Sequence, residues 1–158
     1  MDRVAVPVAI ALGSNLGDRR AHLLWAAEAL AGPVQSLALS SIIETEPVGV
    51  PTDQPPFLNA AATGATTMPA LDLLAYLQDL ERRCGRDRPY RWAPRTLDLD
   101  LIFYGDQTIS LPQLAVPHPR FRERAFVLGP LAEVASDWVD PVTGRTVGQL
   151  LAEIERAR

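Results

Sequence analysis

An α+β sandwich, an antiparallel sheet with helices packed on it, is the fold class this sequence predicts, and three observations predict it. Apolar stretches of strand length recur with glycine or proline at their margins, at 4–13, 57–67 and 95–105. Two segments between them carry apolar residues at helical spacing, at about 19–31 and 70–84. The resulting order over the first two-thirds of the chain, strand–helix–strand–strand–helix–strand, suits one sheet with both helices on the same face.

VAVPVAIALG (4–13) is an apolar run closed by glycine, a buried strand by its length and flanks. Asp18 then caps a helix over roughly 19–31, with Leu23, Leu24, Ala27 and Leu30 on one stripe. The intervening GSNLG lacks the spacing of either familiar phosphate-binding glycine loop, so a tight strand-to-helix turn is its simplest role, with Asn15 able to reach a ligand. VQSLALSSIIETE (34–46) becomes strand-like towards its end, and EPVGVPTDQPP follows with four prolines in eleven residues, a stiff surface loop. FLNAAATGATT (57–67) reads as a strand, although alanine is a weak strand former.

Pro69 suits the first turn of a helix in which Leu73, Leu77, Leu80 and Cys84 line one face up to Gly85. A second arginine- and proline-bearing loop, GRDRPYRWAP, leads into the strand RTLDLDLIFYG (95–105). A short polar turn, the segment VPHPRFRER, a helix around 122–135 and an amphipathic helix from about 146 complete the chain. The expected whole is a ferredoxin-like sandwich in one domain over residues 1–158, a length that buries roughly two-thirds of the unfolded surface.

Composition narrows the function. With 47% hydrophobic and 22% charged residues the chain is globular, and no apolar run approaches the roughly 18 residues that span a membrane. The N-terminal stretch lacks a signal-peptide cleavage pattern, and the lone Cys84 offers no disulfide framework, so a cytoplasmic protein is expected. A net charge of −4 argues against a general nucleic-acid binder. All 15 basic residues are arginine, and nine of them fall in two stretches, 82–95 and 120–124, which fits one localised polyanion site.

The chemistry concentrates in RWAPRTLDLDLI (91–102). Alternate residues of a strand share a face, so Leu97, Leu99 and Leu101 point into the core while Thr96, Asp98 and Asp100 point the other way. The two aspartates then lie about 6.6–6.8 Å apart along the strand. Their repulsion is relieved by divalent cations, one Mg²⁺ or a pair about 3.5–4 Å apart. A half-exposed strand facing water is the plainer reading of a lone D-x-D. It does not explain why Arg91, Arg95 and Trp92 arrive at the same place, whereas a phosphate clamp does.

His118 sits between two prolines ahead of three arginines, where imidazole can donate to an anion. His22 reads as an exposed helical residue, and Trp25 and Trp138 as packing. Phe57 and Asn59 share a strand face, an aromatic plane beside an amide edge that suits a flat heterocycle.

In sequence order ALGSNLGD, TEPVG with DQPPFLNA, QDLERRCGR, RWAPRTLDLDLI and VPHPRFRERAFVL resemble the 6-hydroxymethyl-7,8-dihydropterin pyrophosphokinase family of folate biosynthesis over residues ~8–135. The resemblance implies a ferredoxin-like fold and transfer of the diphosphate of MgATP to the pterin's hydroxymethyl oxygen, releasing AMP. It implies Asp98 and Asp100 as ligands of two Mg²⁺, with Asp98 a proton acceptor. Arg86 and Arg95 would stabilise the migrating charge. Arg88, Arg91, Arg124 and His118 would contact nucleotide phosphates, with Gln78, Glu81, Trp92 and Leu101 also on the ATP side.

The pterin would lie between Phe57 and Phe126, its polar edge read by Asn59 and by backbone near Thr45 and Val48. Loops 46–56 and 85–94 match the family's mobile loops, with Trp92 moving inward over the pterin. Phe57 stands where many members have Tyr, Ala93 where Gly is commoner, and Gln113 and Ala115 where some carry Arg and Thr. The implied partners are these two small molecules, with no nucleic acid and no membrane, for a monomeric enzyme. A non-catalytic nucleotide-binding regulatory domain on the same scaffold is the alternative, and a metal-dependent nuclease is disfavoured by the acidic charge.

Overall fold

The computed structural model describes residues 4–46, 56–85 and 96–157 of the chain. Three long strands make the sheet: β1 (Val6–Ser14), β4 (Phe57–Thr66) and β5 (Asp98–Tyr104). The short β2 (Gln35–Leu39) and β3 (Ile43–Thr45) both pair with β4 and together form the far edge. The order β2-β4-β1-β5, antiparallel at each of these pairings, is that of the ferredoxin-like sandwich. Helix α1 (Arg19–Leu30) connects β1 to β2, and α2 (Ala70–Arg83) connects β4 to β5.

The helix limits follow from local chemistry. Asp18 accepts from the Ala21 amide at 3.1 Å and starts α1, after a turn that needs a left-handed residue and finds it in Gly17, φ +70°. Pro69, whose missing N–H would be unpaired there anyway, precedes α2. The stripe expected on α1 is narrower than the spacing suggested: Leu23, Ala27 and Leu30 are buried, but Leu24 is 44% exposed. Its place is taken by Ala26, which completes the buried face.

Under α1 and α2 lies one core, built from Val8, Ile10 and Leu12 of β1, Leu99 and Leu101 of β5, and Leu73, Leu77 and Leu80 of α2. The opposite face of the sheet is covered as well. There α3 (Ala125–Ala135) and α4 (Val147–Arg156) pack with Phe121, Ala9, Ala61, Ile102 and Phe103 into a second core. Strict alternation along β5 would turn Phe103 towards α1 and α2. Instead the register jumps from Ile10↔Leu101 to Ala9↔Phe103, so Ile102 is an extra residue and both Ile102 and Phe103 face the second core.

A small hairpin, β6 (Ile109–Ser110) with β7 (Ala115–Val116), leads into a 3₁₀ turn, Phe121–Glu123, and then α3. That turn is anchored by Arg122, whose Nε and Nη2 donate to the two oxygens of fully buried Asp140 at 2.6 and 2.9 Å. Burial pushes the Asp140 carboxyl up, but the bonds from Arg122, the Thr143 hydroxyl and the Val142 amide outweigh it and hold the group below its ordinary value.

Candidate active site

The site is a row across the sheet. Gly13, near the end of central β1, stands directly opposite Asn59 of β4 on one side and Asp98 of β5 on the other. One step back, Ala11 lies between Ala61 and Asp100. Opposed residues share a face, so the carboxylates of Asp98 and Asp100 and the amide of Asn59 emerge on the side covered by α3, away from α1 and α2. Both aspartates are half-exposed while Leu97, Leu99 and Leu101 are buried beneath the helices, as the alternation requires.

Asn59 is 6% exposed, and its Nδ2 donates to Thr45 Oγ1 at 2.6 Å. That bond orients the amide, leaving Oδ1 on the Gly13 side. The Thr45 hydroxyl is thus a positioning group, where the sequence had offered only backbone near this residue. Phe57 is half-buried two residues earlier on the same face. Phe126, in the first turn of α3, packs against the second core, and α3 crosses β4 and touches β1 and β3. The helix is tied down where the Ser41 amide and hydroxyl donate to the Glu133 carboxylate at 2.9 and 2.6 Å.

On the side of Asp98 lie His118 and Arg124, near enough for charge to couple to the histidine. Burial and the Arg124 charge pull His118 below its ordinary value of 6.5, with Asp98 opposing them. The ring is therefore neutral at pH 7. Its Nδ1 accepts from the Arg120 amide at 3.2 Å, so the proton resides on Nε2, which can donate to a phosphate oxygen. The Arg124 guanidinium lies 5.7 Å from the centroid of Phe126, next to the aromatic plate.

Because the folded ring binds its proton only below the unfolded value, the unfolded chain holds more protons just beneath pH 6.5 and the native state loses stability as pH falls there. We expect ¹⁵N spectra of the imidazole to show the Nε2–H tautomer and a midpoint below 6.5; a midpoint above it would contradict this geometry.

Several expectations need correction. Of the arginines assigned to a polyanion site, Arg122 belongs to the Asp140 pair, Arg120 faces Glu123 at 3.7 Å, and Arg82 and Arg83 flank Asp79 at 3.5 Å each. Arg83 also stacks 5.5 Å over Trp25. Leu101 is 3% exposed with its side chain in the core, so only its main chain can meet a nucleotide. Glu81 is 4% exposed, and its Oε2 accepts from the Leu99 amide at 2.9 Å, between the two aspartates in sequence. It braces the strand that carries them. Gln78, one turn earlier, is exposed.

His22 is half-buried rather than exposed, with Nδ1 3.5 Å from the Cys84 sulfur. Burial raises the Cys84 thiol above its ordinary value, which disfavours the reactive thiolate. Asn15 is fully buried. Val48, Arg86, Arg88, Arg91, Trp92, Ala93 and Arg95 lie outside the described residues.

Two carboxylates on one face form a hard oxygen donor set. Among the described residues no group of three or more His, Cys, Asp and Glu gathers to cage a metal. Mg²⁺, which takes one or two carboxylates and fills its octahedron with water and substrate phosphate, fits this set.

A ferredoxin-like sheet that presents such carboxylates beside an amide and an aromatic ring suits metal-assisted group transfer. The comparisons give the family. The family model of 7,8-dihydro-6-hydroxymethylpterin-pyrophosphokinase (HPPK) matches residues 9–136, and the chain belongs to that family of enzymes, which serves folate biosynthesis.

The chain is similar to the 2-amino-4-hydroxy-6-hydroxymethyldihydropteridine pyrophosphokinase of Pseudomonas aeruginosa, 44% identical over 147 residues, 92% of this chain and 90% of that one. It is 47% identical over 127 residues to the protein of the same name from Bacillus subtilis, covering 79% and 75%. A crystallised HPPK-DHPS from Plasmodium falciparum aligns with 97% of the chain at a TM-score of 0.76 and 14% identity, a likeness of fold. The chain spans 43% of that longer protein.

Proposed function

We propose that this pyrophosphokinase moves the β,γ-diphosphate of MgATP onto the hydroxymethyl oxygen of 6-hydroxymethyl-7,8-dihydropterin. A bond forms between that oxygen and the β-phosphorus while the bond from the β-phosphorus to the bridging α,β-oxygen breaks. AMP leaves with the bridging oxygen. The observation that carries this reading is the row across the sheet, with a heterocycle-type amide on β4 and a metal-type carboxylate on β5 sharing one face, two strands apart.

Each group then has a task. Asn59 and Phe57, with Phe126, hold and orient the pterin, aided by Thr45 and Val48. Asp98 and Asp100 would hold two Mg²⁺, which would supply charge that favours the deprotonated hydroxyl and offsets the phosphates. Asp98 accepts the departing proton. His118 and Arg124, with Arg88 and Arg91, grip phosphate oxygens; Arg86 and Arg95 meet the charge that develops in transfer. Gln78, Trp92 and Leu101 border the nucleotide, the last through its backbone, while buried Glu81 acts through the strand it braces. Shielding of the hydroxyl is the task left to loops 46–56 and 85–94, because water is the competing nucleophile.

We also propose one domain over residues 1–158 acting as a cytoplasmic monomer without a nucleic-acid or membrane partner; no helix among the described residues is long and apolar enough to cross a membrane. The deciding experiment measures products from ATP and Mg²⁺ with and without the pterin. Pterin- and Mg²⁺-dependent AMP is expected. ADP would mean transfer of a single phosphoryl group and overturn the assignment.

A further inference from the structure

We infer that Gly13 is a specificity-determining residue, the bare floor on which the heterocycle crosses from Asn59 to Asp98; the inference rests on the pterin placement proposed above. Gly13 is the one residue of β1 flanked in register by both groups. Adjacent strands lie about 4.8 Å apart, so the Cα atoms of Asn59 and Asp98 are separated by roughly 10 Å, the scale of a two-ring heterocycle with its substituent. A ring whose polar edge meets Asn59 must pass over Gly13 to bring its hydroxymethyl end towards Asp98. On the same face the next residue of β1 is Ala11, and its β4 neighbour is Ala61, so the trough stays shallow-walled beneath α3.

The space above Gly13 has little slack. A Cβ built there would lie 3.1 Å from Asn59 Oδ1 and 3.6 Å from a Phe57 ring carbon. The first contact is tighter than carbon and oxygen normally accept. Asn59 cannot readily yield, because its Nδ2 is tied to Thr45 at 2.6 Å. A methyl group at this position therefore presses on the amide that reads the substrate and raises the floor under the ring. The backbone does not require glycine, since Gly13 is absent from the positive-φ residues and alanine is better tolerated than glycine in a strand. Space for ligand is what the missing side chain supplies.

The test compares Gly13→Ala with Asn59→Ala and wild type. Pterin affinity is measured with a non-hydrolysable ATP analogue and Mg²⁺ present, and affinity for the analogue is measured alone. Gly13→Ala is expected to weaken pterin binding at least tenfold and leave analogue binding within twofold; the tight contact with Asn59 offsets the strand's gain from losing a glycine, so Tm should stay within about 2 °C of wild type. In wild type, the Gly13 amide resonance is expected to shift when pterin is added to the analogue complex, a readout that needs no variant.

Pterin affinity within twofold of wild type in Gly13→Ala, with Asn59→Ala clearly impaired, would overturn the inference and leave the pterin placement standing. An unshifted Gly13 resonance would overturn it too. Equal losses for both ligands, or a Tm lowered by several degrees, would mean the methyl damages the sheet and that Gly13 has no selective role. If Asn59→Ala binds pterin as wild type does, the placement itself fails and the inference falls with it.

Discussion

Asp98→Ala is expected to lower AMP-forming turnover by about 10³-fold or more while the protein stays folded. The size follows from the role proposed for Asp98, holding the cation and accepting the proton, which is worth several kcal/mol of transition-state charge stabilisation, with each 1.36 kcal/mol a factor of about ten. The side chain is half-exposed on the ligand side of the sheet, and its neighbours in the strand, Leu97 and Leu99, carry the packing instead. Removing one of two like charges on a face also relieves repulsion. Tm should therefore remain within about 3 °C of wild type, a shift corresponding to roughly 1 kcal/mol for a chain of this size. The measurement is paired, with AMP release beside a thermal melt. A melt that collapses would assign Asp98 to the fold, and activity near wild type would remove it from the chemistry.

Asp140→Asn should do the reverse and strike stability first. The carboxylate is fully buried and accepts four hydrogen bonds, two from Arg122, one from the Thr143 hydroxyl and one from the Val142 amide. Breaking a buried pair costs about 3–5 kcal/mol; Arg122 keeps 24% of its side chain in contact with solvent, so about 3 kcal/mol is the better expectation. That corresponds to a fall in Tm of about 6–12 °C.

The sign with pH follows from the lowered Asp140 value. Its contribution is complete above the unfolded value near 3.8 and is lost as pH falls through the folded one. The gap in Tm between wild type and variant should accordingly narrow in acid below about pH 4. A constant gap down to pH 2 would show that ionisation of this group does not stabilise the fold. Because the pair anchors the turn between His118 and Arg124, a weaker grip on ATP is the expected secondary effect.

The two residues divide along the line between what a sequence states and what it conceals. The D-x-D strand was legible because alternation is local: two carboxylates separated by one leucine must share a face wherever the strand lies. Helix limits were legible for the same reason, since Asp18, Pro69 and Gly85 act on backbone groups within a few residues. Asn59 and Phe57 could be paired by parity alone. The role of Arg122 was not legible. Three arginines in five residues look alike as charge, and only folding brings Asp140, 18 positions later, under one of them. Long side chains go where a partner is, and partners are assigned in three dimensions.

The sequence by itself determined the order of the long strands and helices, the ferredoxin-like class, the aspartate pair and the family, because periodicity, capping and motif order are properties of neighbouring residues. Only the tertiary structure decided that α3 and α4 cover the second face and that Ile102 bulges to send Phe103 into their core. It alone set Glu81 against the Leu99 amide and Gly13 between Asn59 and Asp98. Those contacts join segments far apart in sequence, and their register comes from packing side chains across strands, a global minimum that no short window of sequence contains.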